Sequence, residues 1–524
     1  MDMRLNHTSI VCDSPCGACR SQFIVEGDVM LPGSLRETTH VLHASAMAVP
    51  ERTEAMQDRI SVSGRTVFCV LYTQGEKTEV ESIEASADFN HLCDLSGATS
   101  RAEVDAFLQV EQVDARVQSG RMTMRAVIRM CASAVNTEEA EVISAVDADG
   151  AQLRTAKVKT RRRVGRGDGE VLLREEFPLP VELAVQDTLC AFATAEFHDT
   201  AGGQGRVGLA GEVTIEAVHA SAIPGKPLVT TRHTVPVSQS VELRGEGGEL
   251  LDGRIVVKDV AVASQDMGDG ERTLRAEVLL GFSAWADKEE ENTLLTDAYT
   301  TSGEDLRLSY APMKMCTGGN RMSAAESGKA SLLLPEGTLP VRTMLAAFVQ
   351  PVMTNATPQG SRTVAEGTLK TTLIYMTDGQ AAPVSAHVEA PFRMPFAVQA
   401  GEGDIVLLTA ANAEAISITS DRAELRYILR AQVEGNMSSE VSLVTDAAAI
   451  PAMQTTQDIV LCYPQPGETA WDIAKRYRIP EGELRALNPG LEGDPEPGKG
   501  IVVWRRSDLT NKMAGKFPDV RKKG

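Results

Sequence analysis

Three stretches decide the fold: VSGRTVFCVLY at 62–72, LAGEVTIEAVH at 209–219 and AEGTLKTTLIY at 365–375. They align without gaps. Gly64, Gly211 and Gly367 each stand eight residues before Tyr72, His219 and Tyr375. The glycines are 147 and 156 residues apart (211−64 and 367−211). A bulky apolar residue follows each at 25 or 26 positions: Phe89, Val237 and Phe392. Arginines follow farther on, Arg125, Arg275 and Arg426, in MTMRAVIRM, RTLRAEVLL and AELRYILRA. Pro32, Pro180 and Pro335 precede the glycines by 32, 31 and 32.

Each stretch is rich in Val, Ile, Thr and Tyr and partly alternates, which is the pattern of a strand with one buried face. RIVVKDVAV and LRAEVLLGF read the same way, and QGE, IPGK, TDGQ and GDGE supply turn chemistry at hairpin distances. A repeat near 150 residues is far longer than a solenoid unit of about 20 to 50. It matches a domain that holds its own core. LRETTHVLHASAM and PVRTMLAAF suggest one short amphipathic helix per copy.

Composition shifts near residue 450, where DAAAIPAMQTTQD reads as a linker. Beyond it Thr469 is an N-cap candidate before WDIAKRY, and Pro480 precedes EGELRALN. Strands YPQ before and IVVWR after complete a β-α-α-β unit of about 50 residues, near the lower limit for independent folding. The expected fold is mainly β and multidomain, with this small C-terminal domain. The organisation expected is an N-terminal arm at 1–24, repeats at 25–150, 170–300 and 325–450, the β-α-α-β domain at 458–507, and a disordered tail at 508–524.

The C-terminal unit resembles a LysM domain through Pro466-Gly467-Glu468-Thr469, Trp471, Ile473-Ala474, Tyr477, Ile479, Leu484 and Asn488-Pro489. It departs at Glu468 and Ala470, where the family pattern has Asp and Leu. LysM domains bind N-acetylglucosamine chains, so the resemblance places a groove at Gly467, Glu468, Thr469 and Ala470 and at Leu487, Asn488, Pro489 and Gly490. Asn488 offers both donor and acceptor there. Trp471 and Tyr477 read as core, and Trp504 as outward-facing. The repeats resemble the SPOCS domain of spore coat proteins, through the glycine-to-Tyr core, Phe89 and Phe392, and the upstream Leu-Pro pairs. His219 and Val237 depart from that pattern in the second copy.

SPOCS repeats followed by LysM resemble spore-coat morphogenetic proteins of clostridial type. That resemblance implies a non-enzymatic scaffold for sporulation, on the mother-cell side of the forespore surface. Its implied partners are the basement-layer coat ATPase and other coat proteins. The alternative is a peptidoglycan-binding protein of the spore cortex or wall.

The chain of 524 residues carries 52 basic and 72 acidic side chains, a net charge of −20. Such a surface does not favour nucleic acid as partner. No apolar run of about 18 residues suits a transmembrane helix, and the start lacks a secretory core. A cytoplasmic location is the expectation. Nine scattered cysteines do not make a disulfide framework and fit a reducing compartment.

His7, Cys12, Cys16 and Cys19 form the sharpest local cluster. The spacing Cys12-x3-Cys16-x2-Cys19 resembles that of radical S-adenosylmethionine iron–sulfur sites, and three Cys with one His also suit zinc. Radical chemistry requires a barrel of alternating strands and helices, which the β-rich repeats do not supply. A mobile arm bearing thiols is the plain alternative. Gly203, Gly205 and Gly208 match a dinucleotide fingerprint in letters only, because a strand follows where a helix is needed. Gly493, Gly498 and Lys499 mimic a phosphate loop without its hydroxyl. KVKTRRRVGR at 157–166 carries six positive charges and reads as a solvated connector or an acidic-partner patch. No catalytic constellation emerges, and no cofactor is expected.

Overall fold

The computed structural model describes residues 3–504 except 32–38, 76, 204, 269–270, 402, 452–458 and 492. Strands dominate, and three units of the same plan follow one another. The first holds β1 (Arg4–Met30), β2 (Thr39–Met56), β3 (Arg59–Gln74), β4 (Val80–Asp94), β5 (Glu103–Gln118) and β6 (Arg121–Asp147). The second holds β7 (Ala151–Leu179), β8 (Val185–Gly203), β9 (Arg206–Ile223), β10 (Lys226–Glu242), a short β11 (Arg244–Gly245), β12 (Leu250–Gly268) and β13 (Glu271–Thr300). The third holds β14 (Asp305–Leu333), β15 (Thr343–Gln359), β16 (Arg362–Met376), β17 (Val384–Phe396), β18 (Ile405–Thr419) and β19 (Arg422–Ile450). The C-terminal domain follows with β20 (Ile459–Cys462), α1 (Ala470–Tyr477), α2 (Glu481–Leu487) and β21 (Ile501–Trp504).

Each unit folds as two antiparallel sheets. In the first they run β1-β6-β5 and β2-β3-β4. The third repeats this as β14-β19-β18 and β15-β16-β17, and the second as β7-β13-β12, extended by β11, and β10-β9-β8. Alternating apolar residues from both sheets meet in one core per unit, as a two-layer β fold requires. Phe68, Val70, Met124 and Ile128 serve the first unit, Ile215, Leu280 and Phe282 the second, and Leu369, Phe396 and Leu425 the third.

The repeated glycine has one physical cause in all three units. Gly64, Gly211 and Gly367 lie opposite Pro50, Phe197 and Met353, where β2, β8 and β15 bulge. A Cβ on any of them would sit 2.1 Å from a carbonyl oxygen, that of Val49, Glu196 or Val352. Only glycine allows that approach. On the other side each glycine pairs in register with the bulky residue 25 or 26 positions on: Phe89, Val237 or Phe392. In the first and third units the ring covers the space that the glycine leaves open, and in the second Ile255 does so.

The three units meet in shared cores. Leu42, Cys69 and Leu71 of the first pack with Leu189, Cys190 and Leu228 of the second and Leu345, Ile374 and Met376 of the third. The long hairpins form another: Ile10, Cys12 and Val142 with Val158 and Leu294, and with Met313, Met315 and Leu443. Their strands reach 30 residues in β13, about 100 Å at the rise of a strand.

Several expectations are corrected. The segment 1–24 is no free arm over its described part: β1 begins at Arg4 and pairs with β6 along its length. Likewise 151–169 and 305–324, left between repeats by the sequence reading, are the first halves of β7 and β14. These halves alternate weakly because they pack against neighbouring units as well as their own sheet. Of the amphipathic stretches 35–47 and 340–348, residues 39–47 fall in strand β2 and 343–348 in β15, because each completes a sheet and is not left to its own period. Cys69 and Cys190 form a disulfide between the first and second units. The strand before the C-terminal helices is Ile459–Cys462 and lies ahead of YPQ. Residues 446–450 of the supposed linker belong to β19. Residues 452–458 of that linker, and the tail at 508–524, lie outside the described residues.

Candidate functional site: a docked C-terminal domain

α1 is capped by Thr469, whose side chain accepts from the Asp472 N–H, while the Asp472 carboxylate accepts from Thr469 N–H at 2.9 Å. This reciprocal cap fixes the turn before the helix. Ala470, Trp471, Ile473 and Ala474 face inward, with Leu484 from α2 and Ile501 and Val503 from β21. Trp471 and Tyr477 are thus core and half-buried residues, as their spacing suggests.

That core is completed by the second unit. Tyr299, at the end of β13, is buried in it and meets Trp471 edge to face at 4.9 Å. Its hydroxyl donates to the Ile479 carbonyl at 2.7 Å. Asp297 accepts from Trp471 Nε1 at 2.7 Å, Lys475 Nζ at 2.5 Å and the Tyr310 hydroxyl at 2.9 Å. Burial works against the Asp297 carboxylate, but Lys475 and Trp471 outweigh it and hold its pKa below the usual range. Arg478 ends α1 in the left-handed conformation. Its buried guanidinium donates to the Thr300, Ser302, Gly303 and Glu304 carbonyls, reading the turn between the second and third units. One face of α1 is therefore spent on holding the domain to the repeats.

The eight groove residues divide sharply. Ala470 is buried in the core and Thr469 is occupied by the cap. Glu468 pairs with Arg476 and accepts from the Gln465 N–H at 3.0 Å. Asn488 does not offer itself to a ligand as its chemistry suggests. Its amide donates to the Leu484 and Val502 carbonyls at 2.8 and 2.7 Å, and its oxygen accepts from the Val502 N–H at 2.9 Å. It ties α2 to the edge of β21, which sequence spacing does not reveal. Leu487 is half-buried, and Gly467, Pro489 and Gly490 are exposed.

The N-terminal thiols do not gather. His7 pairs with Glu141 at 3.6 Å, Cys12 is buried in the core between the hairpins, and Cys16 lies 3.5 Å from the Gly97 carbonyl. Cys19 sits against Cys93 in the first unit's core. Burial pushes the Cys12 thiol up to about 11 and Cys19 up to about 12, where neither is a ready thiolate. A strand spreads such residues along its length, whereas a loop could fold them round one ion. Among the described residues, the three-residue group with converging metal-type ligands is Glu196, His198 and Glu212. There Glu196 is already paired with Arg430 of the third unit at 2.6 Å.

The basic run is not a solvated connector either. It lies in β7, where Arg161 and Arg163 pair with Asp287 of β13 at 2.7 and 3.3 Å. Arg163 and Arg321 both lie over the Trp285 ring, 4.7 and 4.4 Å from its centroid. Arg321 and Arg254 pair with Glu434 of the third unit, and Arg254 with Asp105 of the first. This ionic junction lines a cavity of about 230 Å³ between all three units. Burial alone would raise the Asp105 pKa, but Arg254 and Arg163 hold it below the usual range.

Among the described residues no helix is long and apolar enough to cross a membrane. Neither a curated protein nor a solved structure matches the chain. Two family models do. The model "SipL, SPOCS domain" matches residues 38–118, which span β2 to β5 of the first unit. The LysM domain model matches residues 465–504, which hold α1, α2 and β21. Both are non-catalytic, binding-type domains, and the first is sporulation-related. The chain thus combines a SPOCS domain with a C-terminal LysM domain.

Proposed function

We propose that this chain is a non-enzymatic scaffold of spore coat and envelope assembly. In this reading it docks a coat morphogenetic ATPase and other coat proteins at the forespore surface, from the mother-cell side. Each of the three units counts as one SPOCS-like repeat, and LysM supplies the groove at Gly467–Ala470 and Leu487–Gly490.

One observation carries the preference for a protein partner. The polar side chains of the groove, Glu468, Thr469 and Asn488, are all engaged inside the domain. A sugar acetamide recognised by side chains would have to break these bonds, and each buried group left unpaired costs about 1–3 kcal/mol. What remains exposed is a shaped backbone edge at Gly467, Pro489 and Gly490. That edge also supports the second reading, a peptidoglycan binder that recognises N-acetylglucosamine chains through backbone groups.

The test uses the full chain, because LysM shares its core with Tyr299. Binding to the purified coat ATPase and to an N-acetylglucosamine oligosaccharide is measured side by side, with Gly490→Arg as the groove variant. ATPase binding that Gly490→Arg weakens at least about tenfold, about 1.4 kcal/mol, supports the scaffold. Oligosaccharide binding alone, lost in the same variant, overturns it in favour of the glycan reading.

A further inference from the structure

β1 and β4 are edge strands of the first unit's two sheets. Along one seam their alternate side chains meet in antiparallel order. Phe23 lies 5.2 Å from Phe89 and stacks on His91 at 4.4 Å, and Ser21 Oγ is 2.9 Å from His91 Nε2. Two residues farther along each strand, on the same faces, stand Cys19 and Cys93. Both are free cysteines, 8% and 5% exposed, in one core, and their thiols interact.

The sibling units carry the same two positions without sulfur. Cys93, Val241 and Phe396 each pair with the residue four before the repeated glycine: Ile60, Val207 and Thr363. Cys19, Gly169 and Met322 each pair with the residue seven after the repeated arginine: Ala132, Phe282 and Val433. A Cβ on Gly169 would meet Val241 at 3.8 Å, an ordinary contact. The fold thus brings these positions together in the second unit too, and the first unit fills both with cysteine.

We propose that Cys19 and Cys93 are a site of reversible covalent modification, a thiol pair that a low-molecular-weight disulfide oxidises to a bond locking β1 to β4. One cysteine thiolate attacks the small disulfide, forms a mixed disulfide and expels one thiolate. The other cysteine sulfur attacks the protein-bound sulfur of that mixed disulfide and expels the second. Two small thiols leave with the two cysteine protons, and two electrons pass from the protein to the oxidant. Both sulfurs are covered, and burial holds the Cys19 thiol up at about 12. The first attack therefore takes place when the seam parts. Reclosing sets the second sulfur beside the mixed disulfide. The bond then holds the seam shut and ties residues 74 apart in sequence (93−19). It acts within the first unit, whereas Cys69–Cys190 joins the first unit to the second.

The test incubates the full chain with oxidised glutathione in urea below the unfolding transition. Remaining thiols are alkylated after unfolding, and the digest is read by mass spectrometry. A linked peptide pair carrying Cys19 and Cys93 is expected, formed faster as urea rises. The melting temperature of the treated chain should exceed that of the untreated one by at least about 5 °C. Cys93→Val takes the second unit's residue and should fold as the wild type does, but without this rise, and Cys19→Ala should lose the rise equally. Both variants keep Cys69–Cys190, so a rise that they share with the wild type overturns the proposal. Full alkylation of Cys19 and Cys93, a mixed disulfide that does not close, or linkage to Cys16 or Cys131 overturns it as well. So does the expected bond without a gain in melting temperature.

Discussion

The second unit and its two siblings share one plan and differ in what the copy has been asked to hold. Where the first and third units place Tyr72 and Tyr375, the second places His219. Tyr72 donates to Glu81 at 2.9 Å and Tyr375 to the Leu339 carbonyl at 2.9 Å. His219, fully buried, instead bonds through both ring nitrogens, to Thr188 at 3.1 Å and Thr231 at 2.8 Å. Where the siblings cover their glycine with Phe89 and Phe392, the second has Val237, and Ile255 fills the remaining space. This unit also supplies Asp287 and Trp285 to the ionic junction, Cys190 to the inter-unit disulfide, and Asp297, Tyr299 and Thr300 to LysM. The SPOCS match falls on the first unit. The copy that departs from the shared pattern is thus the one that joins the others together.

The sharpest way to break this contrast is at the LysM contact. Arg478→Ala removes the guanidinium donor from the Thr300, Ser302 and Gly303 carbonyls and one of the donors to that of Glu304, and should cost about 4 kcal/mol of docking. Limited proteolysis should then release LysM early while the repeats resist. Unchanged cleavage would mean that the contact contributes little. At the junction, Asp287→Ala takes the carboxylate from Arg161 and leaves Arg163 with Glu103 and Asp105 of β5, and should cost about 3 kcal/mol in urea unfolding. Glu277→Ala, on the exposed face of the same strand, should change almost nothing.

Acid provides the third test. Burial, helped by His233, pulls the His219 pKa down to about 4 from 6.5. The folded protein therefore binds fewer protons than the unfolded one between those values. Stability from this site is complete above pH 6.5 and is lost as pH falls towards 4, by up to about 3 kcal/mol. His219→Tyr, the sibling residue, should flatten the slope of melting temperature with pH in that window. An unaltered slope would assign the acid sensitivity elsewhere, as to His43, whose pKa burial pulls down to about 3. The smallest effect is expected from Val237→Phe. It restores the siblings' residue, yet it should destabilise by about 2 kcal/mol because Ile255 already fills the site. A gain in stability would show that the second unit had simply lost its ring.

The repeat was legible because its cause is local: a glycine beside a bulge, a bulky residue paired across from it, and a Tyr or His eight positions on. The LysM helices were legible for the same reason, through the Thr469 cap and the helical spacing of Trp471 and Ala474. Contacts between units were not. Asp297 and Lys475 lie 178 residues apart, and nothing near either one marks the other. The basic run at 157–166 shows the same limit, since its arginines have partners on β13 and β5 that no spacing reveals. The thiols at Cys12, Cys16 and Cys19 misled because metal spacing assumes a loop, and the chain there is a strand. Asn488 misled because donor and acceptor capacity says nothing about where it has been spent.

The central claim is that LysM is a fixed part of the repeat assembly, held by the turn that leads from the second unit to the third. Hydrogen exchange at residues 297–304 tests it most directly, in the full chain and in a chain ending before Ile459. Strong protection of that turn in the full chain, lost without LysM while β3 and β16 stay protected, is the predicted result. Identical exchange in the two chains would contradict it and leave LysM a separate module on a tether.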